Sequence, residues 1–160
     1  MGTLYTKCKI ENPVDRTRSV VIPKLLVDTG SEYTWASERT LERIGIQRET
    51  KDVTFVLANG QEVTRRVGFS IIRHDEFFTI DEVVFAEKGD LLLLGARTLE
   101  GLNLTIDPGR KKLVAAGPLP AASSSRTEGS AGRRGRISGS RIPTDVGESG
   151  FTSGLWSKDR

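Results

Sequence analysis

The sequence predicts an all-β domain, a closed β-barrel carrying one or two short helices. Three observations lead there. Apolar and polar residues mostly alternate over short runs instead of recurring at helical spacing. Turn residues separate those runs at short intervals, with Asn12-Pro13, Asn59-Gly60 and Asp107-Pro108-Gly109 among them. Many short strands with turns between them leave few exposed edges only if the sheet closes on itself.

The elements follow in order. In "LYTKCKI", Leu4, Thr6, Cys8 and Ile10 share one face, while Tyr5, Lys7 and Lys9 share the other. Asn12-Pro13 begins a turn. Ser19 to Val27 reads as a second strand, and Pro23 within it predicts an edge or a bulge. In "SERTLERIG", Ser37 stands as an N-cap, Leu41 and Ile44 lie three apart, and Gly45 ends a short helix. Asp52 to Ala58 alternates Val53, Phe55 and Leu57 against Thr54, Val56 and Ala58. Asn59-Gly60 predicts a tight hairpin, because both residues tolerate positive φ. The returning strand, 61 to 73, places Val63, Val67, Phe69 and Ile71 on one face. His74-Asp75-Glu76 turns the chain, with His74 expected in solvent, into "FFTIDEVVFA". Leu91 to Leu94 reads as an apolar strand, and "ARTLEG" after it as a second helix. Leu102 to Ile106 and Lys112 to Ala115 flank the last turn.

Charge divides the chain. Residues 1–118 hold 17 basic and 17 acidic side chains and are neutral; residues 119–160 hold 7 and 4, a net +3. From Gly117-Pro118 onward the composition is rich in Gly, Ser and Arg and poor in apolar residues. Such a stretch cannot bury enough surface to offset its chain entropy. We therefore expect a folded domain over 1–118 and a disordered tail over 119–160, with Phe151 and Trp156 as isolated apolar exceptions. The tail's Arg133, Arg134 and Arg136 carry no interleaved aromatic residues, so nucleic acid is not an expected partner.

No apolar run approaches the roughly 18 residues that span a bilayer, so no membrane partner is expected. No basic-then-apolar leader opens the chain, and its one cysteine cannot form an internal disulfide. A cytoplasmic location is the expectation. One cysteine and one histidine point away from a cysteine-rich metal site and from Ser-His-Asp or Cys-His chemistry; no metal and no cofactor are expected. Carboxylates are the acid–base groups that remain.

One carboxylate stands out. In "KLLVDTGSEYTW", an apolar strand runs straight into Asp28-Thr29-Gly30-Ser31. A second apolar strand, "LLLLGA", reaches Gly95 67 residues later and leads into the second helix; the Asn-Gly hairpin lies between. Read alone, Asp-Thr-Gly is also an ordinary turn after a strand.

In this order, the segments over about residues 3 to 116 resemble the retropepsin-like aspartic proteases, the retroviral proteases and their cellular and bacterial relatives. The resemblance implies a homodimer, with Asp28 of two copies forming the catalytic pair, and a peptide or protein as substrate. It implies that Thr29 bonds across the two-fold axis and that Gly30 lets substrate backbone approach. Ser31 replaces the usual retroviral alanine; its hydroxyl either donates to Asp28 or belongs to a plain turn. The family's helix begins Gly-Arg, whereas here Ala96 separates Gly95 from Arg97. The family's arginine pairs with an acid at the position of Glu32, so Glu32 and Arg97 either pair or are two solvated charges. The hairpin tip lacks the glycine-rich apolar tip of viral enzymes; Asn59 and Gly60 either meet substrate or merely turn the chain. The implied activity is aspartic endopeptidase. The alternative is the same fold used as a dimerisation or peptide-binding module with little turnover.

Overall fold

A computed structural model of the protein describes residues 2–122 of the 160. The elements in chain order are β1 (Tyr5–Glu11), β2 (Ser19–Asp28), β3 (Thr34–Ser37), α1 (Glu38–Arg43), β4 (Asp52–Val56), β5 (Glu62–His74), β6 (Phe77–Ala86), β7 (Leu93–Gly95), α2 (Ala96–Gly101), β8 (Leu104–Asp107) and β9 (Lys112–Ala115). Hydrogen-bonded neighbours run β1-β2-β7-β3-β6-β5, and β5 returns to β1. Six strands thus close a ring. The expected all-β barrel with two short helices is present. β4 pairs only with β5, outside the ring, and β8 and β9 form a separate two-stranded sheet. Beyond residue 122 the expected tail, with its arginine cluster, Phe151 and Trp156, lies outside the described residues.

The pairing of β1 with β2 accommodates the proline. Thr6 pairs with Leu25, but Cys8 pairs with Ile22, so β2 carries one extra residue around Pro23 and Lys24. Proline has no N–H to give a ladder, and a bulge removes the need for one. Cys8 and Ile10 then point into the main core with Leu25, Leu41, Ile72, Phe85 and Leu94. Burial pushes the Cys8 thiol up to about 12, with a smaller contribution from the charge of Asp75. Asn12 does more than turn the chain. Its side-chain amide donates to the carbonyls of Ile44 and Gly45, both at 3.0 Å, and satisfies acceptors at the end of α1. Gly45, at φ +76°, ends that helix as expected, although Ser37 makes no side-chain cap.

β5 does two jobs. Its first residues, Glu62 to Arg66, pair with β4 as a projecting hairpin; from Val67 onward it pairs with β6, and near its end also with β1. Gly68 sits just past this handover. A Cβ there would lie 2.5 Å from the Gln47 carbonyl oxygen and 2.7 Å from Ile46 Cγ2, so the segment after α1 can press directly on the strand.

Val67, Phe69 and Ile71 alternate along β5 as predicted, with Phe69 48% exposed and the other two buried. Two expectations need correction, and one strand was not foreseen. Leu91 and Leu92 are not strand; pairing with β2 starts at Leu93 opposite Leu26, and both preceding leucines are exposed. β3 was unread in the sequence. It is only four residues long, yet it joins β6 and β7. His74 is mostly buried: its ring nitrogen Nδ1 lies 3.0 Å from the Lys7 carbonyl and 3.3 Å from the Thr6 hydroxyl.

The barrel also holds a charged group. Glu11 is buried beside Lys9 and Arg73, at 3.1 and 2.8 Å. Burial alone would raise its carboxyl, but hydrogen bonds from both cations and their charges hold it below the usual range.

Gly68→Ala should lower stability by about 1–3 kcal/mol, the usual cost of overpacking. Gly109→Ala, whose Cβ would make ordinary contact 3.4 Å from Asp107 Oδ1, should stay within about 0.5 kcal/mol of the parent. Urea unfolding midpoints of the two variants check this.

Candidate active site

The site is built where two parallel ladders meet. β2 runs parallel to β7, with Val27 opposite Leu94 and Asp28 opposite Gly95. β3 runs parallel to β6 and touches β7 at Trp35 and Leu93. The loop from Thr29 to Tyr33 therefore leaves β2 at Asp28 and must cross the start of α2 before entering β3. Gly95 makes the crossing possible, since a Cβ there would collide with the carbonyls of Glu32 and Tyr33. The first turn of α2 holds the loop down. Ala96 N–H donates to Ser31 O at 2.7 Å and Arg97 N–H to Glu32 O at 3.1 Å. The helix thereby satisfies two of its own orphan donors.

Asp28 is half-buried on the wall of a cleft of about 840 Å³. Its Oδ1 accepts the Gly30 N–H at 2.9 Å. A Cβ at Gly30 would stand 3.2 Å from that same oxygen, so a side chain there would crowd the carboxylate as well as the cleft. The cleft's apolar wall is aromatic. Phe55, from the projecting hairpin, meets Tyr33 edge-on with centroids 5.4 Å apart and Trp35 at 4.6 Å. Val67, Val84 and Leu93 form a second core cluster with Trp35 beneath it.

The other expected residues fall into two groups. Gly30, Ser31, Glu32 and Asn59 line the cleft with Asp28. Thr29 does not; it is exposed and borders a smaller hollow beside Ala96, Leu99 and Ile106. Gly60 does not line the cleft either. It holds the hairpin turn at φ +82°, donating its N–H to Leu57 O at 2.8 Å, while Leu57 N–H donates to Gln61 O at 2.8 Å. Asn59 keeps negative φ, so the tip is a three-residue loop rather than the two-residue turn expected from Asn-Gly.

Two pairings that the sequence left open are not formed. The Ser31 hydroxyl donates to the Tyr33 carbonyl at 3.3 Å and not to Asp28, because the loop folds back over Gly95 immediately after it. Glu32 is exposed and makes no side-chain pair with Arg97. Arg97 has other partners. Its guanidinium reaches Asp81 Oδ1 at 3.1 Å and lies 4.8 Å over the Tyr33 ring.

Several contributors escaped the sequence reading: Tyr33, Trp35 and Phe55 on the wall, Asp81 beneath it, and an ion pair at its rim. Arg65 on β5 makes a two-pronged contact with Asp90, Nε to Oδ2 at 2.7 Å and a terminal nitrogen to Oδ1 at 3.0 Å. Asp90 also accepts the Glu87 N–H at 2.8 Å. The pair ties the projecting hairpin to the loop 87–92, which lines the cleft through Gly89, Asp90 and Leu91. A charge 25 residues from its partner leaves no local signal in a sequence. Among the described residues no group of His, Cys, Asp and Glu could hold a metal ion, and no helix is long and apolar enough to cross a membrane.

Residues 21–101 match the family described as gag-polyprotein putative aspartyl protease. The chain belongs to this family of retropepsin-like aspartyl proteases. Its match runs from within β2, through Asp28 and the projecting hairpin, to the end of α2. Among solved structures, the retroviral protease-like domain of Ddi1 from Leishmania major is similar at 19% identity and a TM-score of 0.47, over 75% of this chain and 96% of that one. No curated protein matches the chain.

Asp90→Asn should loosen the rim of the cleft. Burial alone would raise the Asp90 carboxyl, but the Arg65 hydrogen bonds, the Glu87 N–H and the Arg65 charge hold it below the usual range. A carboxyl depressed on folding stabilises above its unfolded pKa of about 3.9, and that contribution fades as pH falls through the lower folded value. The parent should therefore exceed Asp90→Asn by about 1.5–3 kcal/mol at pH 7, the range for hydrogen bonds to charged groups. The gap should shrink toward pH 2. Urea unfolding of both proteins across this range measures it.

Proposed function

We propose that the protein is a homodimeric aspartic endopeptidase whose catalytic pair is Asp28 from each of two copies. The observation that carries this reading is a half-buried carboxylate on the wall of a partly aromatic cleft, in a chain with one Asp-Thr-Gly. Hydrolysis of a peptide bond needs a base to take a proton from water and an acid to protonate the departing amine. One ionised carboxylate supplies the first and one protonated carboxyl the second. Two carboxyls held together share one proton because they cannot readily both ionise. A second copy brings the second carboxyl, in a symmetric arrangement that places both on the two-fold axis. The apolar wall of Tyr33, Trp35 and Phe55 supports binding of peptide side chains beside the reacting bond.

Dimer formation has a physical motive in the C-terminal hairpin. β8 and β9 pair only with each other among the described residues, which leaves the outer edge of β9 with unpaired backbone groups. Lys112 to Ala115 is the segment we propose to pair with a terminal strand of the second copy. Sedimentation at high micromolar concentration should then find a dimer, and deletion of 119–160 should preserve it; a species that stays monomeric throughout argues against the shared site.

The activity is tested with a diverse peptide library across pH. The parent should cleave with a bell-shaped dependence, bounded by the two macroscopic ionisations of the pair. Asp28→Asn should lose at least about a hundredfold in rate, since an amide neither takes nor gives the proton, while the dimer persists. If Asp28→Asn cleaves as well as the parent, the aspartic mechanism is wrong. Binding without cleavage at every pH would make the fold a peptide-binding module.

A further inference from the structure

Beneath the cleft, a chain of buried hydrogen bonds begins at the backbone of Gly95 and ends on a carboxylate. Gly95 N–H lies 3.0 Å from Thr34 Oγ1. Thr34 Oγ1 lies 2.6 Å from Thr98 Oγ1, and Thr98 Oγ1 lies 2.9 Å from Asp81 Oδ2. Thr34 and Thr98 are fully buried and Asp81 is 9% exposed.

The two ends fix the direction of every proton. An amide N–H only donates, so Thr34 accepts from Gly95. An ionised carboxylate only accepts, so Thr98 donates to Asp81. The remaining bond must run from the Thr34 hydroxyl to Thr98. Each hydroxyl therefore accepts once and donates once. Arg97, 3.1 Å from Asp81 Oδ1, places an opposite charge beside the terminal carboxylate; Glu82 is the other charged group near Arg97, at 3.9 Å. Glu82 N–H also donates to Asp81 Oδ1, at 2.8 Å.

Gly95 is also where the aspartate loop is held. It stands opposite Asp28 in the β2–β7 register, it lies beneath the carbonyls of Glu32 and Tyr33, and the two N–H groups that follow it hold Ser31 and Glu32. Whatever fixes the backbone of Gly95 fixes the loop that carries Asp28.

We propose that Thr34, Thr98 and Asp81 are positioning residues that hold Asp28 in place through the backbone of Gly95. None of the three lines the cleft. They lie on three different elements, β3, α2 and β6, so the chain of bonds joins the separate walls of the barrel under the reacting group. The inference rests on Asp28 being the catalytic carboxylate only for its effect on rate; the mechanical claim, that the relay holds Gly95, stands apart from that reading.

Thr98→Val keeps the side chain's shape and removes the hydroxyl, while Thr98→Ser keeps the hydroxyl. Two readouts separate the claims. Hydrogen exchange at the Gly95 amide should be slow in the parent, at least tenfold faster in Thr98→Val, and within threefold of the parent in Thr98→Ser. Peptide hydrolysis should lose at least tenfold in kcat in Thr98→Val with KM within twofold, and Thr98→Ser should recover most of it. If the parent cleaves no peptide, the proposed activity fails, and the exchange rates still decide whether the relay holds Gly95. If Thr98→Val does not fold, Asp81→Asn, which removes the terminal charge, should speed Gly95 exchange at least threefold. Fast exchange of Gly95 in the parent, or exchange within twofold of the parent in a folded Thr98→Val, overturns the proposal. So does a tenfold loss of kcat in Thr98→Ser equal to that in Thr98→Val.

Discussion

The backbone of residues 32 and 33 passes so close over Gly95 that no side chain fits between them. This contact settles much around it. The loop after Asp28 must stay short and flat to make the crossing, and the first turn of α2 must present its free N–H groups upward to receive it. The parallel pairing of β2 with β7 sets the level at which the crossing occurs, because Asp28 and Gly95 are partners in register. Move that register by one residue and the carboxylate would face the core instead of the cleft.

Energetically, this arrangement collects polar groups where a small barrel would otherwise be apolar. Buried polar groups are tolerated only when partnered, and an orphaned one costs about 1–3 kcal/mol. Beneath the cleft the groups are partnered: Thr34, Thr98 and Asp81 satisfy one another, and Arg97 balances the charge. Ser70 stands directly across from Asp81 in the β5–β6 register, yet its buried hydroxyl has no protein partner among the described residues. The contrast shows how selectively the bonding is spent on the side of Asp81 that faces α2.

Much of the ring was legible in the sequence because its signals are local. Alternation revealed β1, Pro23 announced the bulge in β2, and Gly45 marked the end of α1. Asp28, Gly30 and Gly95 were legible because each has a steric or chemical reason to be that residue at that place. What escaped depends on residues far apart in the chain. Glu32 was the one partner the sequence offered Arg97, against no partner at all; the actual partner of Arg97, Asp81, lies 16 residues away on β6. Phe69 alternates with Val67 and Ile71, and only the fold decides that it is exposed while those two are buried. Thr34 and Thr98 look like unremarkable polar residues until the fold brings them within 2.6 Å.

The burial of Cys8 has a consequence for how the barrel can be watched opening. The thiolate is the form that reacts with oxidants and alkylating reagents. With its thiol pushed up to about 12 by burial, little of it is thiolate in the folded protein at neutral pH. The side chain is also 1% exposed, on the strand that joins both ends of the ring. Chemical modification of the chain's single sulfhydryl would therefore proceed through openings that part β1 from its neighbours. Its rate would serve as a clock for breathing of the barrel, at a position remote in register from Asp28.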